Sequence, residues 1–314
     1  MDLEHYVSFP ALGWTIPIHR ELISFTLFGQ EITIYWYSVM IVVGLLLALW
    51  YGFRHAESFG IKKDPMIDVL FVCVLFAVIG ARLYYVLFSE NRAEYFADPL
   101  SILRIWEGGL GIYGGVIMAF VTGLWICPLR KVSTLRMFDL ASIGFLIGQA
   151  VGRWGNFFNQ EAFGSNTTLP WGMTGDIIRL NKDLLSYDAL KPVHPTFLYE
   201  SLWCILGLIV LHTVSKKAYK FKGQIFTLYL MWYGAGRFFI EMLRTDSLMV
   251  GALPISCLVA AIAVIGGFVL FFVLKNHEER SPKTLLPAEG EVEDEELVEE
   301  EAEEASDGAK EETE

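Results

Sequence analysis

Seven apolar runs, each long enough to cross the roughly 30 Å hydrocarbon layer of a bilayer, constrain this chain more than any other feature. They cover approximately residues 34–53, 66–88, 109–127, 138–157, 195–214, 223–243 and 252–274. With 54% hydrophobic residues over 314 positions and a mean hydropathy of +0.44, an ordinary water-soluble domain is excluded. The expected fold class is an all-α polytopic membrane protein of seven transmembrane helices.

Basic residues mark alternate connections. Arg54, Lys62 and Lys63 follow the first run, Arg130, Lys131 and Arg136 the third, and Lys216, Lys217, Lys220 and Lys222 the fifth, with Lys275 beyond the seventh. By the positive-inside rule these connections are cytoplasmic, so the N-terminus is expected outside and the C-terminus inside. Residues 1–33 form an N-terminal extracytoplasmic or interfacial segment, within which IHRELISFTLFGQ has apolar residues at helical spacing and is expected along the outer interface. Pro10, Pro17 and scattered polar groups there argue against a cleavable signal peptide. Residues 34–275 form the membrane domain, and the long connection 158–194, rich in turn formers such as GSNTTLPWGMTGD, is expected as a small extracytoplasmic cap. Residues 276–314 read as a cytoplasmic disordered acidic tail. The net charge of −12 belongs to that tail, because residues 289–314 hold fifteen carboxylates and one lysine and leave 23 basic against 21 acidic residues in the body. No nucleic-acid partner is expected. Cys73, Cys127, Cys204 and Cys257 lie singly in apolar stretches without metal-ligand spacing, so no metal, cofactor or internal nucleophile is expected from them.

Polar groups gather at one depth. GQAVGRWGNFFNQE, residues 148–161, brings Arg153, Asn156, Asn159 and Glu161 out of an apolar helix on which Gly144, Gly148 and Gly152 leave room for a close neighbour. An arginine near the end of a span calls for an anionic partner or a function. Tyr37 lies early in the first run, Arg82 late in the second, Tyr113 early in the third, and His194 at the head of the fifth, where Pro195 suits the first turn of a helix. Tyr233, Arg237, Glu241 and Arg244 form one stripe of the sixth. Glu241 is spaced to neutralise Arg237 or Arg244, yet Arg82, Arg153 and Arg237 together outnumber it and leave a positive surplus that an anionic headgroup would satisfy. EGGLGIYGG, residues 107–115, supplies glycine pairs for close helix packing or for backbone amides open to a lipid.

HPTFLYE, GGLGIYGG, GARLYYVLF, YGAGRFFIE and above all GRWGNFFNQE resemble the prolipoprotein diacylglyceryl transferases, over almost the whole membrane body. The resemblance implies a bacterial cell-membrane enzyme that takes the diacylglyceryl group of phosphatidylglycerol and attaches it to the lipobox cysteine thiol of a prolipoprotein signal peptide, releasing glycerol phosphate. The family's essential arginines fall on Arg153 and Arg237, with Asn156, Glu161, Tyr233, Glu241, Arg244, Tyr37 and His194 in supporting positions. Part of the family has histidine where this chain has Tyr113 and Tyr35. Clustered guanidinium groups suit the reaction, because they grip phosphate in a planar fork and lower the pKa of a nearby thiol. On this reading Arg153 and Arg237 hold the phosphate and stabilise departing charge, while His194 or Glu241 accepts the proton. Tyr113, a poor base near neutral pH, positions the lipid by a hydrogen bond, and Arg82 joins the lipid-binding set. A lipid or ion transporter would also keep arginines in the membrane, but it often shows an inverted repeat, which this sequence lacks.

Overall fold

The structure, a computed structural model, describes residues 5–27, 30–89, 92–105, 108–180, 187–247, 249–251 and 253–280. The acidic run 289–314, Glu107 and the linker around Asn181 lie outside the described residues. In chain order the strands are β1 Tyr6–Phe9, β2 Trp14–Pro17, β3 Glu21–Leu27, β4 Gln30–Tyr35, β5 Thr174–Gly175, β6 Met249–Val250 and β7 Leu253–Pro254. The helices are α1 Trp36–His55, α2 Lys63–Phe88, α3 Arg92–Ala97, α4 Ile112–Leu129, α5 Thr134–Asn159, α6 Asp176–Leu180, α7 Thr196–Lys217, α8 Gln224–Glu241 and α9 Ile255–Arg280. Among the described residues, α1, α2, α4, α5, α7 and α9 are long and apolar enough to cross a membrane. A helix suits such runs because hydrocarbon offers no partner for a backbone N–H or C=O, and the i to i−4 ladder satisfies both within the segment. The expected run 223–243 is α8, as long as α4 at 18 residues. It is not among the six, because Gln224, Arg237 and Glu241 dilute its apolar character.

The all-α expectation is corrected at the N-terminal side. The run 18–30, expected along the outer interface with apolar residues at helical spacing, instead supplies β3, Glu21–Leu27, of an antiparallel ribbon in which Ile23 pairs with Ile34, Ser24 with Thr33 and Phe25 with Ile32. Ile23, Phe25, Ile32 and Ile34 fall on one face and Ser24, Thr26 and Thr33 on the other, the alternation of period two that a strand requires. Their β-branched side chains favour the extended chain over the helix. Tyr35 ends β4 and precedes α1, so it does not lie in the first span.

The chain forms two compact units, one from residues 53–138 and the other from residues 5–52 with 139–280. In the first, α2 packs on α4. A Cβ added to Gly114 would lie 2.3 Å from the Gly80 carbonyl and 2.2 Å from Tyr84 Cβ, so the glycines of GARLYYVLF and GGLGIYGG are what let these backbones meet. Arg82, 4% exposed, donates from Nε to the carbonyl of Ile102 at 2.8 Å, from Nη1 to Gly108 at 2.7 Å and Gly109 at 3.1 Å, and from Nη2 to Ser101 at 2.9 Å. Gly108 and Gly109, at φ of 89° and 77°, turn those two carbonyls toward it, a conformation only glycine adopts without strain.

In the second unit, α7 and α8 pack together and α9 packs on α8. Val7, Phe9, Ile18, Phe157, Phe163, Met173, Ile178, Val193 and Phe197 form the core of a small lobe at the end of α5 and the start of α7. Its sheet has the order β2-β1-β5. Gln160, 1% exposed and left-handed at φ 52°, ends α5 and fastens it there: its Nε2 donates to Asp176 at 2.7 Å and its Oε1 accepts from the Ile177 N–H at 3.2 Å.

Candidate functional site

Three helices are registered by polar contacts before any charged group meets another. At one end Asp139, fully buried on α5, accepts hydrogen bonds from the Gly223 N–H at 2.7 Å, the Phe226 N–H at 2.8 Å and the Tyr219 hydroxyl at 2.6 Å, which satisfies donors orphaned at the start of α8. Midway, the Gln149 amide on α5 donates to the Tyr229 hydroxyl on α8 at 3.0 Å, and the Ser201 hydroxyl on α7 donates to the Ala150 carbonyl at 2.8 Å. Trp203 on α7 and Trp232 on α8 stack at 4.6 Å, each indole N–H donating to the other's carbonyl, at 2.9 and 3.0 Å. Gly207 and Gly236 make room for the rings. With that register fixed, Glu200 on α7, one turn from Trp203, faces Tyr233 and Arg237 on α8.

The charged groups then form an alternating chain. Arg153 Nη2 lies 2.6 Å from Glu200 Oε1, and Arg237 Nη1 lies 2.9 Å from Glu200 Oε2. Tyr233 donates to Glu200 Oε1 at 3.0 Å. Arg237 Nη2 lies 2.6 Å from Glu241 Oε2, whose other oxygen accepts from Ser247 at 2.8 Å. Arg244 Nε is 3.9 Å from Glu241, and its fork closes on Asp246 at 2.9 and 2.8 Å. Glu200 and Glu241 are each 2% exposed. Such pairs hold only where the desolvation of each ion is matched by close partners, and removing one partner strands the other.

The expected surplus of positive charge is corrected by this arrangement. Arg153, Arg237 and Arg244 are balanced by Glu200, Glu241 and Asp246. Glu200 and Asp246 were not among the residues singled out by sequence. Glu200 carried a signal: it is the sole acidic residue within 196–217, and two arginines in neighbouring apolar helices require a counter-charge. Arg82, counted in that surplus, belongs to the other unit, where backbone carbonyls hold it. Tyr113 also belongs to that unit, 41% exposed, with its ring 6.2 Å from Tyr84.

The remaining expected residues extend the cluster. Arg153 Nη1 donates to Asn156 Oδ1 at 3.3 Å, and the amides of Asn156 and Asn159 donate to Glu161 Oε1 at 2.9 and 3.2 Å. Tyr37 lies over Gly155, where a Cβ would come 2.6 Å from the ring. α1 approaches α5 closely at Gly44, where a Cβ would lie 3.2 Å from Gly148 Cα, and a Cβ on Gly144 would lie 3.6 Å from Ala48, whereas the Cβ positions of Gly148 and Gly152 are open. His194 precedes α7, and Pro195 is the residue before its first turn. The His194 ring bonds the Tyr199 hydroxyl through Nδ1 at 3.1 Å and makes no bond with Arg153, Arg237 or Glu200 among the described residues. Burial holds its pKa below the ordinary value, so near pH 7 the imidazole is neutral and able to accept a proton.

A membrane protein whose half-buried guanidinium forks meet buried carboxylates from separate helices has the equipment to handle an anionic headgroup, since the same forks fit phosphate oxygens. The family described as prolipoprotein diacylglyceryl transferase has a sequence model that matches residues 23–273. A protein of Bacillus cereus (strain G9842) named phosphatidylglycerol--prolipoprotein diacylglyceryl transferase is 41% identical over 253 residues, 80% of this chain and 91% of that one. Proteins of the same name are 41% identical in Bacillus mycoides (strain KBAB4), over 81% of this chain and 92% of that one, and in Bacillus anthracis, over 80% and 91%. The chain belongs to the prolipoprotein diacylglyceryl transferase family.

Proposed function

We propose that this chain transfers the diacylglyceryl group of phosphatidylglycerol to the lipobox cysteine thiol of prolipoproteins, releasing glycerol phosphate, in the bacterial cell membrane. The observation that carries the reading, beside family membership, is that Arg153 and Arg237 from separate helices converge on the two oxygens of one buried carboxylate. A phosphodiester offers the same pair of oxygens.

In the reaction the substrate thiolate attacks the glycerol carbon that bears the phosphate. A C–S bond forms as the C–O bond breaks, and glycerol phosphate leaves with the electron pair. Arg153 and Arg237 bind the phosphate and stabilise the charge that grows on it, and their field favours the thiolate. Asn156, Glu161, Tyr37, Tyr233 and Arg244 frame the headgroup. His194 is the better placed proton acceptor of the two expected, because Glu241 is engaged on both oxygens by Arg237 and Ser247. Arg82 is assigned to holding the connection before α4, its donors being taken by carbonyls. The proposed topology adds α8 as a span to the six apolar helices, which makes seven, with the lobe of residues 158–194 outside and the C-terminus in the cytoplasm. The basic residues at Lys62, Arg130, Lys131, Lys220 and Lys222, in connections that alternate along the helix order, support it.

The test is purified full-length protein in detergent with phosphatidylglycerol and a cysteine-bearing lipobox peptide. The expected products are the lipidated peptide and free glycerol phosphate in equal amounts. Neither would appear from a protein that only binds or moves lipid.

A further inference from the structure

Glu200 makes three bonds that resemble those a phosphate would make. Its Oε1 takes Arg153 Nη2 and the Tyr233 hydroxyl, and its Oε2 takes Arg237 Nη1. The two guanidinium groups assigned above to the lipid phosphate are therefore already joined through a carboxylate. The charge count sharpens the conflict. Three arginines face three carboxylates, so a phosphodiester monoanion entering the cluster leaves it one negative charge in excess, and an unpaired buried charge costs several kcal/mol. Either a carboxylate leaves for water or it takes a proton. Glu200 is 2% exposed and sits between the buried Phe197, Ser201 and Cys204 on its own helix, so the way out is closed. Asp246, the outermost acid of the chain, does not touch Arg153 or Arg237; Glu241 touches Arg237 alone.

We propose that Glu200 and the lipid phosphate compete for Arg153 and Arg237, and that binding of phosphatidylglycerol is coupled to uptake of one proton from solvent by Glu200. This rests on the proposed function. The proton forms an O–H bond on the carboxylate and nothing else is consumed. A neutral carboxyl gives up its ion pairs without leaving its place, and its new donor serves a phosphate oxygen in turn. The fork geometry is thus kept assembled by an internal anion and released to the substrate at the cost of a single protonation.

The groups that face Glu200 are Arg153 on α5, Cys204 on α7 and Tyr229, Tyr233 and Arg237 on α8, with Glu241 beyond Arg237. Guanidinium groups keep their proton throughout the neutral range. The competing titrants are therefore Cys204, the two phenols and Glu241; Cys204→Ser and Tyr229→Phe each remove a titrating group without changing the charge of the cluster and serve as controls.

The experiment is calorimetric titration of the full-length protein in detergent with short-chain phosphatidylglycerol, from about pH 6 to 9, in two buffers of different ionisation enthalpy. Linkage predicts an affinity that weakens with rising pH by up to about tenfold per unit, with uptake of up to about one proton per lipid. Glu200→Gln should bind with a flat pH profile and no proton uptake, while the two control variants keep the slope. A flat profile in the unaltered protein overturns the proposal even if Glu200→Gln cannot be purified, and so does a slope that survives in Glu200→Gln or disappears in a control variant. Transfer to the lipobox peptide, measured on the same preparations, separates the two levels. Protein that transfers without proton linkage overturns this inference alone, and protein that does not transfer overturns the proposed function.

Discussion

A lysine at position 153 or 237 keeps the charge of the arginine but presents a single ammonium in place of a planar fork. Arg237 uses both ends of its fork, one on Glu200 and one on Glu241, and Arg153 spans Glu200 and Asn156. A point charge cannot make both contacts at once. Losing one hydrogen bond to a charged group costs roughly 1.5 to 3 kcal/mol, so Arg153→Lys and Arg237→Lys should each lower turnover by about 10- to 150-fold. The check is initial rates with the lipobox peptide at matched amounts of folded protein. Full activity in either variant would reduce that arginine to a source of field. These arginines were visible in the sequence because a guanidinium in an apolar helix is anomalous by itself. Their partner carried only a faint signal, because a single glutamate near the start of a helix looks like an ordinary N-terminal acid until the helix opposite is known. Which residues face each other across α7 and α8 depends on the indole pair, a tertiary contact that no spacing within either helix encodes.

The elements place those residues by packing that leaves little slack. A Cβ on Gly236 would sit 2.1 Å from the Trp203 indole nitrogen, and that ring is held both by stacking and by its bond to the Trp232 carbonyl. Gly236→Ala must therefore push α8 away from α7 or break the indole pair, next to Arg237. Overpacking of this kind costs about 1 to 3 kcal/mol, so the variant should lose thermal stability and, with it, the Glu200–Arg237 register. Gly148→Ala and Gly266→Ala add a methyl group with nothing within 4 Å and, Ala being the better helix former, should melt at or slightly above the unaltered protein. Equal midpoints for all three in a thermal scan would show that the indole pair does not set the spacing. The lobe is the element that pH should loosen. Burial pushes the Asp176 carboxyl upward, but bonds from His5, Gln160 and the Tyr6 N–H outweigh it and hold the group below the usual carboxylate range. A lowered folded pKa gives stability that is present above the unfolded value of about 3.9 and lost as pH falls through the folded one. His194, also lowered, adds stability that is present above about pH 6.5 and lost below it. Protection factors of the lobe's amides, corrected for the intrinsic pH dependence of exchange, should therefore fall in two steps as pH falls, His194 first, and Asp176→Asn should remove the second step alone. The β-ribbon of β3 and β4 shows how such elements escape the sequence: IHRELISFTLFGQ fits both a period of 3.6 and a period of 2, and the partner strand decides.

At the scale of the whole molecule, the membrane body was the most legible part, because a long apolar run has few folds open to it in hydrocarbon. Among the described helices of 18 residues or more, the one that is not apolar enough to count as a span, α8, is the helix that carries Arg237 and Glu241; the residues that blur it as a span are those that give it chemistry. Sidedness follows from α5 more firmly than from any total of spans. Its 26 residues extend about 39 Å at 1.5 Å per residue, more than the hydrocarbon thickness, so its two ends belong on opposite sides of a bilayer. Arg130, Lys131 and Arg136 flank the first end, and GRWGNFFNQE with the lobe forms the second. The basic end should face the cytoplasm. Thr168→Cys, exposed beyond the second end, should thus react with an impermeant thiol reagent added to intact cells, and Ser133→Cys should react only after the cells are opened. Background is low for such a measurement, because Cys127, Cys204 and Cys257 are buried and Cys73 is half-buried. The opposite pattern would put Arg153, Asn156 and Glu161 toward the cytoplasm, where a thiol on a secreted precursor could not reach them after translocation, and the proposed reaction would lose its acceptor. Labelling of both positions from outside would instead remove α5 as a span, and with it the depth at which Arg153 meets Glu200.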